Sequence, residues 1–496
     1  MGVIARQGVK TTIVSYIGVA IGALNTLWLF PAFLEVREIG LLNLMTNISL
    51  LIAPIAQLGV NGIILKYHPF FKNDEERYGQ FLWLVTLIPF LGYFFAMSIF
   101  LLFQDTFLEN FIETSPLIVE YYLWLIPLTF IVVFRNVADT MSRALFRIAV
   151  PKFIKEVVFR IIVMALLVCI AVFDLSRTTL IMGYIGAFGI NLLLVLGYIY
   201  RLSPQKPIFN LKGIDKSFIK EAFTYGLFII LSGFAGMIVT KIDGWMIGSM
   251  LDLDNVGIYS IALFIGLTIE MPKRSINLIS MPVIANAIKN NRPKEIETLY
   301  KKSALTQMVL GCALLTPIWI GIDDLFALIP NSEVFAEGKY VVLWIGLAVV
   351  FDMATGVNNE IILMSNFYRY NLGIMSALVG LAIVNNLWLI PIYGITGAAM
   401  ATAISIFIFN LLKFLLVFYK FHIQPFSIKS LWILLLTCGV MALGLYLPDL
   451  GHPLVNILYR SVIVLGLFGG AVLYFKLSPE IAGMVNKLLG TIRRNT

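Results

Sequence analysis

YGLFIILSGFAGMIVTKIDGWMIGSML, residues 225–251, is followed by the turn DLDNVG, residues 252–257, and then by IYSIALFIGLTIEMPKRSINLISM, residues 258–281. Both long runs are apolar enough to cross a bilayer, yet Lys241 and Asp243 interrupt the first. Glu270, Lys273 and Arg274 interrupt the second, around Pro272. A charge at the centre of a membrane helix costs about 2.5–3.5 kcal/mol, so such residues face a partner or a cavity. Five of them in neighbouring spans imply a polar interior between helices.

Working outward, the composition agrees. The chain has 496 residues, 59% of them hydrophobic and 13% charged, with a mean hydropathy of +0.91. A soluble domain is nearer one quarter charged, so the chain reads as an all-α, polytopic integral membrane protein. Apolar runs recur from end to end and give about fourteen spans at the length a bilayer demands. Arg6 and Lys10 precede a first run, residues 13–34, too long for the core of a cleavable signal and read as a retained anchor.

With an even number of spans both termini lie on one side. The loops on that side carry Arg143, Arg147, Lys152, Lys155, Lys206, Lys289, Lys294 and Lys301 among others, whereas the opposite loops carry Arg37, Arg177, Lys339 and Arg460. The basic side is the cytoplasm. The net charge of +8 is thereby a topology signal, and nucleic acid is excluded as a partner. The cysteines, Cys169, Cys312 and Cys438, lie in apolar runs, and His68, His422 and His452 lie far apart. No HExxH, CxxC, GxSxG or Walker A pattern occurs, so no metal, nucleophile or nucleotide site is expected, and no cofactor.

An internal repeat divides the chain. FLEVREIGLLNL, residues 33–44, resembles MLDLDNVGIYSI, residues 250–261, and Pro54 and Pro272 follow one residue out of register. The expected organisation is a first six-helix lobe (residues 1–203), a cytoplasmic linker (204–221), a second six-helix lobe (222–420), and a final helix pair with a cytoplasmic tail (421–496). Parallel repeats of this kind enclose a site between them. Residues 211–223 and the tail positions Ile481, Met484, Leu488 and Ile492 are apolar at helical spacing and read equally as interfacial helices or as solvated connectors.

The candidate site residues follow from charge and spacing. Glu270 precedes Lys273 and Arg274 by three and four positions, with Asn277 continuing the face, so one acid meets two bases and a cation is left over for an anion. The bland alternative is a self-neutralised patch. Lys241 and Asp243 lie roughly 200° apart around their helix and must pair elsewhere. Asp352, Thr355 and Asn359 form one polar stripe, with Asp352 the expected ion-coupling acid beside Asp243 and Glu270. Arg135, Asp139 and Ser142 share another face, while Arg160 and Lys413 read as snorkelling bases. Glycine pairs such as Gly18/Gly22 and Gly394/Gly397 read as close-approach sites, and Pro31, Pro54, Pro127 and Pro272 as kinks.

The segments NTLWLFPAFL (25–34), LIAPIAQLG (51–59), Lys241-Ile-Asp243, VGIY (256–259), DMATGVN (352–358) and PIYGITGAA (391–399) occur in the order found in polysaccharide-export flippases. The chain resembles, over nearly its whole length, the Wzx-like branch of the multidrug/oligosaccharidyl-lipid/polysaccharide exporter superfamily. That resemblance implies two six-helix lobes around a central cavity, alternating access, and a polyprenyl-pyrophosphate-linked glycan as cargo. It further implies a proton or Na+ as coupling ion, a bacterial inner membrane location and glycan-assembly enzymes as partners. Lys241, Lys273, Arg274, Arg135 and Asn277 are the expected cavity residues. A multidrug exporter of organic cations is the alternative within the same superfamily, kept open by Asp243, Glu270 and Asp352. A membrane enzyme of envelope assembly is disfavoured because no large outer loop or intramembrane histidine is present.

Overall fold

The computed structural model describes residues 3–210 and 216–483, and among these there are helices and no strands. The principal helices are α1 (Val3–Leu24), α2 (Val36–Ala56), α3 (Val60–Phe71), α4 (Glu75–Leu102), α5 (Leu125–Ala144), α6 (Phe159–Phe173), α7 (Arg177–Leu202) and α8 (Lys216–Met250). They continue with α9 (Leu253–Thr268), α10 (Met271–Lys289), α11 (Pro293–Ile320), α12 (Lys339–Ala354), α13 (Asn358–Met364), α14 (Tyr368–Phe421), α15 (Ile428–Leu445) and α16 (Pro453–Tyr474). In lipid only helices or closed barrels satisfy every backbone group, which is why so apolar a chain takes this form.

Eleven helices among the described residues are long and apolar enough to span, or twelve if the bent pair α9–α10 counts as one. Fourteen were expected. Part of the difference lies in α14, whose apolar stretch of 53 residues is about 80 Å long at 1.5 Å per residue, far more than one hydrocarbon thickness. It is two helices joined at Gly394, where φ is 57° and ψ is −137°. A Cβ on Gly397 would lie 2.0 Å from the Leu389 carbonyl oxygen, so the turn closes only with glycine there.

Prolines act according to position. α9 and α10 meet at 50°, and Pro272 sits in the first turn of α10, where its missing N–H leaves nothing unsatisfied. Pro127, expected to kink a span, is the third residue of α5 and breaks nothing.

The chain packs as two compact units, Met1–Gly257 and Ile258–Thr496, divided inside α9. Within the first, α8 lies along α2 and α3. The described start of α8 is not a separate interfacial helix: Ala222 is buried, and the Phe218 ring packs 4.9 Å from Tyr67 and 5.1 Å from Phe71. Residues 211–215 and the tail positions Met484, Leu488 and Ile492 lie outside the described residues.

The repeat has a structural counterpart. Glu35 caps α2 through a reciprocal box with Glu38, and the equivalent Asp252 accepts the Asn255 backbone N–H at 2.7 Å ahead of α9. The glycines of the two copies approach each other's helix starts within the first unit. Gly18 and Gly22 do something else: a Cβ on Gly22 would lie 2.6 Å from the Arg160 guanidinium, so these glycines make room for a side chain.

A charged and amide-lined candidate site in the second unit

The break before α10 sets the site. Lys273 and Arg274 are adjacent and about 100° apart around the helix. Arg274 points outward, 68% exposed, and donates to Glu270 Oε2 at 2.9 Å. Lys273 turns inward, 15% exposed, and its Nζ forms an ion pair with Asp352 at the end of α12. The surplus cation expected from one acid facing two bases is therefore cancelled by an acid from another helix.

α12 does not run on through the polar stripe. It stops at Ala354, and Gly356 adopts φ +62° with a Cβ position 3.0 Å from Ala304 before α13 begins at Asn358. The expected stripe is thus split across a break, and each member reaches its own partner. Asp352 meets Lys273, Thr355 Oγ1 lies 3.1 Å from Asn410 Oδ1, and Asn359 Oδ1 accepts from Lys413 Nζ at 2.8 Å. Lys413 is 4% exposed, with Nζ 3.7 Å from the centre of the Phe409 ring, so it is buried and does not snorkel.

Asn277 joins three helices. Its Nδ2 donates to Glu360 Oε1 on α13 at 2.9 Å, and its Oδ1 accepts from Gln307 Nε2 on α11 at 2.9 Å. Sequence reasoning had placed Asn277 and Asp352 but not Gln307, Asn410 or the burial of Lys413. Asn410 and Lys413 stand three apart in an otherwise apolar run, the same signal that exposed Lys241 and Asp243. Between α11, α12, α14 and α15 lies a cavity of about 650 Å³, lined by Trp344, Leu347, Phe351, Phe407, Leu431 and Leu434 among others. Apolar runs carry no sign of it.

The first unit holds the remaining candidates. Arg135 is 8% exposed, its guanidinium 5.4 Å from the Phe188 ring centre and 5.9 Å from that of Phe159, and its Nε has no hydrogen-bond partner. Asp139 lies 3.8 Å from Lys155, and Arg160 lies 3.2 Å from Glu156. A cavity of about 170 Å³ is lined there by Asp139, Ser142, Arg143, Lys152, Lys155 and Glu156. In α8, Asp243 is buried, and Lys241 makes no hydrogen bond or ion pair among the described residues. Also among the described residues, no three His, Cys, Asp or Glu side chains are arranged to hold a metal ion.

Spans of this number, broken at polar points and carrying partly buried ion pairs, define a multi-pass membrane protein. The fold is similar to that of the lipid II flippase MurJ in an inward closed conformation, at 13% identity and a TM-score of 0.72, covering 94% of this chain and 98% of that one. It is also similar to an inward-facing multidrug resistance MATE family transporter of the MOP superfamily, at 14% identity and a TM-score of 0.63, covering 83% and 94%. At such identities the likeness is one of fold. The sequence pattern of the family described as "Polysaccharide biosynthesis protein" matches residues 32–322, more than half of the chain, which belongs to that family. A curated relative, the capsular polysaccharide biosynthesis protein CapF of Staphylococcus aureus, is 22% identical over 190 residues. That match spans 38% of this chain and about half, 48%, of the relative.

Proposed function

We propose that the protein is a flippase for a polyprenyl-pyrophosphate-linked oligosaccharide, carrying it from the cytoplasmic to the outer leaflet of a bacterial inner membrane by ion-coupled alternating access. The observation that carries this reading is the partly buried Lys273–Asp352 pair at a break in two spans, in a chain of a polysaccharide biosynthesis family. A paired lysine is a switchable anion site: when Asp352 is neutralised, Lys273 is released toward a pyrophosphate. In the second unit Arg274 and Asn277 are the further candidates for the headgroup and Asp352 and Glu270 those for coupling; taken by itself, the first unit offers Arg135 and Lys241 as headgroup candidates and Asp243 as a coupling candidate. The apolar cavity of about 650 Å³ offers a place for part of the lipid chain. The lobes are residues 1–203 and 222–420, joined by the linker 204–221 and followed by the pair 421–496, with both termini cytoplasmic and glycan-assembly enzymes as neighbours.

Of the three acids that keep an organic-cation exporter open, Asp243, Glu270 and Asp352, the latter two each face a base. The test is lipid extraction from cells lacking the protein. Polyprenyl-pyrophosphate glycan held on the cytoplasmic leaflet, relieved by the wild type and not by Lys273→Gln/Arg274→Gln, is the expected result. Absence of accumulation, with new sensitivity to cationic dyes, would point to the exporter.

A further inference from the structure

Helix α5 ends in a turn that its sequence does not favour. The Arg147 N–H donates to the Ser142 carbonyl oxygen and the Phe146 N–H to that of Arg143, both at 2.9 Å, and the left-handed position of this cap falls on Phe146, at φ 57°. Glycine is the usual residue there, because a Cβ crowds the backbone. The turn holds two side chains away from the packed unit. Phe146 and Arg147 are both exposed, and the Arg147 guanidinium makes no ion pair or hydrogen bond among the described residues.

Beside this turn, within the first unit, lies a groove of about 410 Å³. Its walls are Ile13 and Val14 of α1, Val150 and Phe153 of the short helix Ala149–Phe153, and Tyr198 of α7, with Arg147 at its edge. The three spans that supply these walls run Thr11–Phe33, Ala149–Phe173 and Arg177–Leu202, and every wall residue stands near an end of its span. The groove therefore lies where hydrocarbon gives way to headgroups. Ile13, Val150 and Phe153 are exposed along it, so its apolar wall opens outward.

The polar groups of the groove are both donors. Besides Arg147 there is the Tyr198 hydroxyl, which has no hydrogen bond among the described residues, and no acid lines the groove. The acids of the adjoining segments, Asp139 and Glu156, line the separate cavity of about 170 Å³ and face Lys155 and Arg160. A fixed cation and a donor at headgroup depth, beside an apolar wall, complement an amphiphile with an anionic head. A zwitterionic lipid would bring an ammonium for which the groove holds no counter-charge.

We propose that this groove binds one anionic phospholipid of the bilayer, its phosphate on Arg147 and Tyr198 and an acyl chain along Ile13, Val150 and Phe153. With the orientation proposed above, the lipid belongs to the cytoplasmic leaflet; the site itself does not depend on that reading. α1 already packs on the segment that follows, where Glu156 closes on Gly18 and Arg160 on Gly22. The lipid extends that seam to the polar boundary, so its binding stabilises the docking of the first span.

The test is native mass spectrometry of the purified full chain in detergent, titrated separately with phosphatidylglycerol and phosphatidylcholine. Phosphatidylglycerol should be held about tenfold more tightly, and Arg147→Gln should lose that preference. Val150→Trp, which fills the groove, should weaken phosphatidylglycerol binding, with unfolding midpoints in the absence of lipid reporting that both variants fold. Lys289→Gln, which removes an exposed base from the second unit, should bind as the wild type does. Equal retention of the two lipids overturns the proposal, as does undiminished binding in folded Arg147→Gln or Val150→Trp, or an equal loss in Lys289→Gln. Displacement of the lipid by inorganic phosphate would make the site one for a free anion, and displacement by polyprenyl phosphate would make it part of the cargo path; either also overturns it. The flippase reading is decided separately, by leaflet accumulation.

Discussion

Gly40 and Gly257, eight residues into the two copies of the internal repeat, each close on the start of the other's helix. A Cβ on Gly40 would lie 1.8 Å from the Leu253 carbonyl oxygen, and one on Gly257 would lie 2.4 Å from that of Val36. Val36 and Leu253 are themselves equivalent in the repeat, so the contact is reciprocal. Backbones come this close only where neither residue has a side chain.

Valine at either glycine should therefore destabilise the protein by about 1–3 kcal/mol through overpacking. The double variant should cost less than the sum, since the two sites share one contact. Thermal unfolding in detergent measures both, with Gly186→Ala, where nothing lies within 4 Å, as the control expected to be silent. Strict additivity would argue that the seam is not shared.

Lys273→Gln or Asp352→Asn alone should destabilise by about 3–5 kcal/mol, because each strands a largely buried charge. Joining the two should restore most of the loss. A double variant whose loss equals the sum of the two single losses would mean that the residues do not depend on each other. Denaturation of the four proteins in a mutant cycle reads the coupling directly.

Gly394→Ala should cost about 1–3 kcal/mol, since φ 57° with ψ −137° is a region that glycine alone visits freely. The expected readout is a lower unfolding midpoint and a protease-sensitive turn near residues 391–397. An unchanged midpoint would require the two halves of α14 to join in another way.

Arg135→Met should leave stability unchanged or raise it, because an apolar stem replaces a buried charge packed between Phe159 and Phe188. If Arg135 serves an anionic headgroup, transport should fall in the same variant, seen as glycan retained on the inner leaflet. Loss of stability with retained transport would make Arg135 a packing residue.

Membrane class, helical spans, the repeat and most of the charged candidates were determined by the sequence alone. The reason is that lipid penalises each misplaced charge and each open backbone group so heavily that composition leaves few alternatives. Lys273, Arg274 and Asp352 stood out on that ground. What the tertiary structure decided is which charges meet. Neighbours on one helix, Lys273 and Arg274, point to different partners because a turn of about 100° separates them. Gln307, Asn410 and Glu360 acquire their meaning only from helices α10, α11, α13 and α14 converging, and no local spacing encodes that. Gly356 and Gly394 were visible as letters, but their positive φ follows from how the flanking helices pack. Periodicity and charge are local properties, whereas pairing and burial belong to the packed chain.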